Sequence, residues 1–80
     1  GSHENSYTAK LVASGIAKVA QKVGEEAVEV VIEAMQEHSL SFHDECADLV
    51  FHLLVLLHTK KSNLAEVMKV LAKRHEEKRA

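Results

Sequence analysis

Apolar residues recur at helical spacing from Ile16 to about Glu37, at Ile16, Val19, Ala20, Val23, Ala27, Val30, Val31 and Ala34. His38-Ser39-Leu40-Ser41 breaks the pattern. Ser41 followed by Asp44 resembles a capping box, so a second helix is predicted from Phe42 to His58 or Thr59. Lys60-Lys61-Ser62 reads as a turn whose cations suit a helix C-terminus. Asn63 with Glu66 forms another capping pair and opens a third helix with Leu64, Val67, Met68 and Leu71 on one face. Residues 4–9 read as polar and irregular, with at most a helical turn at Ser6-Tyr7-Thr8, and Gly15 interrupts the chain after them. The charged stretch from Arg74 to Ala80 is expected to fray, and no internal repeat is visible. The pattern predicts an all-α chain: a helical hairpin plus a further helix.

Composition agrees. The 80 residues are 46% hydrophobic and 28% charged, with no proline and three glycines, which leaves few sites for the tight turns of an all-β fold. A chain this short buries only roughly 60% of its unfolded surface, so the helices are expected to assemble as a dimeric bundle. The net charge of −2 and an aromatic content of 4% argue against nucleic-acid and membrane binding. The longest apolar run, Leu53 to Leu57, falls far short of the ~20 residues that span a bilayer. A lone cysteine, Cys46, makes no internal disulfide. Gly1-Ser2-His3 reads as the remnant of a cleaved tag, leaving one domain over residues 4–80. The expected setting is the cytoplasm.

The first long helix carries the informative residues. At 3.6 residues per turn, Glu25, Glu29, Lys22, Glu33 and Glu26 share an arc of roughly 100°. Val19, Val23, Ala27 and Val30 lie opposite, while Val28, Ile32 and Met35 form a second apolar flank. Two apolar flanks imply more than one neighbour, with the acidic stripe in a cleft between them. The plainer reading is a solvated face. Against it, like charges three and four residues apart repel, and only Lys22 is interleaved.

The second helix is apolar nearly all round from Cys46 to Leu57, interrupted only by Asp48 and His52, which predicts burial. A buried aspartate must be paired or bound to a metal. Glu45 precedes it by one turn, so Glu26-x-x-Glu29 and Glu45-x-x-Asp48 could face each other across an antiparallel hairpin. Four converging carboxylates without compensating lysines suit Mg²⁺ or Mn²⁺. Mg²⁺ in such sites commonly meets a substrate phosphate, which points to phosphate-ester or phosphoanhydride chemistry. His52 reads as a satisfied core histidine, though it could orient Asp48. His38, His43, His58 and His75 read as surface residues, and Cys46, Met35 and Met68 as packing. No Gly-rich phosphate loop occurs, so phosphates would be held through metal and lysine.

Three blocks carry a family resemblance: Ser6-Tyr7-Thr8-Ala9-Lys10-Leu11, Lys18-Val19-Ala20-Gln21-Lys22-Val23-Gly24-Glu25-Glu26-Ala27-Val28-Glu29, and Glu45-Cys46-Ala47-Asp48 through Leu57. With Val70-Leu71 to Arg74-His75 as a closing segment, the chain resembles phosphoribosyl-ATP pyrophosphohydrolase, of the second step of histidine biosynthesis. The acidic pattern alone would indicate the wider MazG-type all-α pyrophosphohydrolases. The resemblance implies Mg²⁺-dependent cleavage of phosphoribosyl-ATP to phosphoribosyl-AMP and pyrophosphate by a homodimer. It implies Glu26, Glu29, Glu45 and Asp48 as metal ligands, and Glu25 as a further acidic contact or orienter of water. Glu25, Glu26 and Glu29 then form the catalytic set, and Ser6, Thr8, Lys10, Lys18 and Lys22 bind the substrate's phosphates. Family members carry a helix before the first block, so the domain is expected to lack it, and some are fused behind phosphoribosyl-AMP cyclohydrolase. The alternatives are a MazG-type house-cleaning enzyme acting on other nucleoside triphosphates and a non-catalytic helical dimerisation module.

Overall fold

A computed structural model describes residues 2–79, and the side chains of residues 6–78. Four helices follow one another: α1 (Ser2–Ala13), α2 (Ile16–Ala34), α3 (Phe42–Thr59) and α4 (Leu64–Arg79). No strand occurs among the described residues. The tag assignment falls partly on Gly1, which lies outside the described residues. Ser2 and His3 open α1.

α1 corrects the expectation of irregular chain over residues 4–9. The stretch contains no proline or glycine, and Ala9, Lys10 and Leu11 are good helix formers. The helix ends where Ser14 donates to the Lys10 carbonyl (3.0 Å) and Gly15 takes a φ of 97°, a conformation that favours glycine. α2 stops at Ala34 instead of about Glu37, because the turn beyond it closes on itself: the Gln36 N–H bonds the Glu33 carbonyl (3.1 Å). At the far end of the molecule, α4 continues to Arg79 through the segment expected to fray, in which no residue breaks a helix.

α2 and α3 form the expected hairpin, and its register can be followed residue by residue. Glu33 reaches Ser41, Glu26 meets Glu45 and Asp48, and Val19 packs with Val55. Numbers fall along one helix as they rise along the other, so the pair is antiparallel. The capping signals fared differently. Asn63 Oδ1 accepts the Glu66 N–H (3.1 Å), as expected. Ser41 sits at the head of α3 but makes no side-chain cap. Its hydroxyl donates instead to Glu33 (2.8 Å), alongside that of Ser39 (2.6 Å), and ties the loop to α2. After α3, Lys61 adopts a left-handed φ of 59°, with Ser62 N–H to Leu57 O (2.8 Å) and Lys61 N–H to His58 O (2.9 Å), a Schellman motif.

The core is small and lies where α1 ends, α2 begins and α3 ends. Leu11, Val19 and Val55 are buried there, with Val12, Phe51 and Leu56 packed against them. α3 is not the buried helix that its composition predicts: Val50, Leu53 and Leu54 are exposed, because no element among the described residues covers that side. The α2 flank of Val19, Val23, Ala27 and Val30 is wholly or partly buried, whereas Val28, Ile32 and Met35 are exposed. Met35 and Met68, expected in packing, are exposed for the same reason. α4 makes little contact with the rest, and the Cα radius of gyration is 15.1 Å, against roughly 12 Å for a compact chain of this length.

Candidate functional site

The hairpin register decides which acidic residues meet. Glu26 from the middle of α2 faces Glu45 and Asp48, one turn apart near the start of α3. One carboxylate oxygen from each of the three lies within 4.8 Å of the others. The structure therefore brings three of the four expected ligands together. Glu29 is exposed and outside that set, but its charge contributes to the field at Glu45. Asp48, expected to be buried, is exposed because that side of α3 is open.

Electrostatics registers the crowding. Partial desolvation raises the pKa of Glu45 above the ordinary glutamate value, and repulsion from Asp48, Glu29, Glu26 and Glu33 adds to it. A divalent cation would relieve that repulsion. The neighbouring acids are already compensated. Hydroxyl bonds from Ser39 and Ser41 lower the pKa of Glu33. Glu25 is lowered by a hydrogen bond from Gln21 (2.9 Å) and by Lys22. Lys22 Nζ stands 3.5 Å from both Glu25 and Glu26. Partial burial works against its charge, but Tyr7, Glu25 and Glu26 outweigh it and raise its pKa above the usual lysine value. The cluster thus contains one firmly protonated cation beside three carboxylates.

Over the cluster opens a cleft of about 620 Å³, lined by Tyr7, Lys22, Glu26, Ala47, Asp48, Phe51 and His52. Lys22 is the one expected phosphate-binding residue among its lining. Lys10 and Lys18 are exposed, the latter one helical turn before Lys22, and Ser6 and Thr8 lie on α1 to either side of Tyr7.

Sequence reasoning gave Tyr7 no role and offered His52 only as a core histidine or an orienter of Asp48. His52 is 5% exposed. Its Nδ1 lies 2.6 Å from the Asp48 carbonyl, and its Nε2 lies 2.8 Å from the Tyr7 hydroxyl. A carbonyl only accepts, so Nδ1 carries a proton, and in the neutral ring Nε2 then accepts the Tyr7 O–H. His52 is thus the satisfied core histidine expected of it, and it ties α1 to the backbone of a cluster residue. The available signal was the spacing: His52 follows Asp48 by four residues, and Tyr7 precedes the buried Leu11 by four, each on a shared face.

Comparison with known proteins adds an independent line. A family model described as phosphoribosyl-ATP pyrophosphohydrolase matches residues 2–75. The chain is 51% identical over 74 residues to phosphoribosyl-ATP pyrophosphatase of Novosphingobium aromaticivorans, covering 92% of this chain and 69% of that protein. It is 52% identical over 71 residues to the protein of that name from Rhizobium meliloti, covering 89% and 66%. It is 45% identical over 75 residues to the histidine biosynthesis bifunctional protein HisIE of Buchnera aphidicola subsp. Schizaphis graminum, covering 94% of this chain and 36% of that protein. The chain thus spans about a third of the length of this bifunctional relative.

Proposed function

The chain belongs to the phosphoribosyl-ATP pyrophosphohydrolase family, and from that premise we propose that it cleaves the α–β phosphoanhydride of phosphoribosyl-ATP, with Mg²⁺ as cofactor. The products are phosphoribosyl-AMP and pyrophosphate, and the reaction is the second step of histidine biosynthesis. The observation that carries this reading is the convergence of Glu26, Glu45 and Asp48 from two helices, with Lys22 beside them.

The donor set fits the metal. All three groups are carboxylates, the hard oxygen ligands that suit Mg²⁺ or Mn²⁺, and no histidine or cysteine lies among them. Their oxygens lie within 4.8 Å of one another, so small side-chain rotations would let all three reach one ion at about 2.0–2.1 Å. Glu26, Glu45 and Asp48 would hold it, and Glu29, outside that set, adds to the negative field around it. When bound, Mg²⁺ neutralises phosphate charge and acidifies water. The chain's own groups do the rest. Lys22, held protonated, pairs with a phosphate oxygen. Glu25, held ionised by Gln21 and Lys22, accepts a hydrogen bond from the attacking water and orients it. Lys10 and Lys18, with Ser6 and Thr8, supply further phosphate contacts. Water attacks phosphorus in line with the departing group and gives up a proton to solvent, and the bridging P–O bond breaks with its electron pair leaving on pyrophosphate for attack at the α-phosphorus, or on phosphoribosyl-AMP for attack at the β-phosphorus. Attack at either phosphorus gives the same products.

The working unit in this proposal is a homodimer. Exposed Val50, Leu53 and Leu54 on α3, and Val28, Ile32 and Met35 on α2, are the surface a second copy would cover. No described helix is long and apolar enough to cross a membrane, which is in keeping with a cytoplasmic enzyme. The HisIE relatives support fusion to a cyclohydrolase in the natural protein.

Phosphorus NMR of phosphoribosyl-ATP incubated with the protein tests the reading. Pyrophosphate and phosphoribosyl-AMP should appear with Mg²⁺ and not with EDTA, and deoxynucleoside triphosphates should be left intact. Release of orthophosphate, or faster cleavage of the deoxynucleotides, would refute it.

A further inference from the structure

The cleft above the acidic cluster is lined by two chemically unlike kinds of residue: the charged Glu26, Asp48 and Lys22, and the largely apolar Tyr7, Phe51 and Ala47. The charged residues already have a role in the proposed phosphate chemistry, but the aromatic ones have none. Tyr7 is 42% exposed although it is held from three directions. Its hydroxyl is fixed to the buried His52, and its ring lies 6.1 Å from Phe51 at 31° and edge-on to His52 at 5.8 Å. Phe51 in turn packs edge-on against His52 at 5.1 Å.

We propose that the Tyr7–Phe51 wall is a nucleobase platform, on which the purine ring of a nucleotide stacks while its phosphates reach across to Lys22 and the carboxylates. The inference rests on the catalytic reading and adds the subsite for the base. Two features favour this occupant. The aromatic rings line the same cleft as groups that suit phosphate, and a nucleotide joins an apolar aromatic face to an anionic tail in one molecule. The cleft, about 620 Å³, falls in the range that encloses a small organic ligand. A pre-set ring also loses little freedom when it is covered. Stacking of one base on an aromatic side chain is worth on the order of tenfold in affinity or more.

Two substitutions separate the ring face from the hydroxyl. Tyr7→Phe and Tyr7→Leu both lose the bond to His52, and only Tyr7→Leu also loses the aromatic face. Each is titrated by calorimetry with AMP and with ribose 5-phosphate, and Mg²⁺ titration of both confirms a common fold and an intact cluster. Tyr7→Phe should bind AMP at least about tenfold more tightly than Tyr7→Leu, with equal affinity for ribose 5-phosphate. Equal AMP affinities, or a parallel difference for ribose 5-phosphate, would overturn the platform, as would wild-type protein that does not bind AMP. Failure of wild-type protein to release pyrophosphate would defeat the catalytic reading instead, and would leave this comparison readable.

Discussion

Removing the Tyr7 hydroxyl should cost more in hydrogen bonding than removing the ring it bonds. In Tyr7→Phe the His52 Nε2 loses its partner, and at 5% residue exposure water cannot easily replace it. The lost bond contributes about 0.5–1.5 kcal/mol, and a buried group left unpaired costs about 1–3 kcal/mol. We therefore expect destabilisation of about 2 kcal/mol, a fall in Tm of roughly 8–16 °C for a domain of this size. In His52→Leu the orphan is the Tyr7 hydroxyl, on a side chain that is 42% exposed, and water can take over. The polar part of that change should be smaller, and most of its cost should be lost packing against Tyr7 and Phe51. Once His52 is gone, Tyr7→Phe should cost under about 0.5 kcal/mol, because no buried acceptor remains to be orphaned. Urea unfolding of the four proteins in the cycle measures the coupling. If Tyr7→Phe costs the same with and without His52, the bond does not hold α1 to the hairpin and the reasoning fails.

Glu45 carries a pH-dependent prediction. With its folded pKa raised, the metal-free folded chain binds this proton more tightly than the unfolded chain does. Its contribution is favourable below the ordinary glutamate value and is lost as pH rises through the folded value. Glu45→Gln should accordingly raise Tm in EDTA at pH 7, flatten that part of the pH profile, and abolish the rise in Tm that wild type shows with Mg²⁺. At a hundredfold excess over Kd, that rise corresponds to about 2.7 kcal/mol. Gly15→Ala should destabilise by about 1–2 kcal/mol by chemical denaturation: a Cβ there meets nothing within 4 Å, so the cost is the positive φ alone. Lys61→Gly should stabilise by about 1 kcal/mol in the same assay, since it places glycine at the left-handed residue of the Schellman motif.

The α2–α3 hairpin could be read from the chain because its apolar period and the break at residues 38–41 are local signals. The pairing of Glu26 with Glu45 and Asp48 was legible for the same reason: a short loop leaves an antiparallel hairpin little choice of register. α1 was misjudged because its polar first half shows no apolar stripe, and its helicity rests on propensity and on docking of Leu11. Ser41 misled because a serine at a helix start resembles a cap whether its hydroxyl turns to the backbone or to Glu33. Burial of α3 was overestimated since composition records how apolar a helix is, and not whether its own chain covers it. The Tyr7–His52 bond joins residues 45 positions apart, and no local pattern encodes it.

Calorimetric titration of Mg²⁺ into wild-type protein and into the Glu26→Ala and Asp48→Ala variants tests the central claim most directly. The account predicts saturable binding to the wild type, weakened at least about tenfold in each variant, with helicity by circular dichroism unchanged. Equal Mg²⁺ affinity in all three would contradict it, because the convergence of α2 and α3 would then not form the cation site.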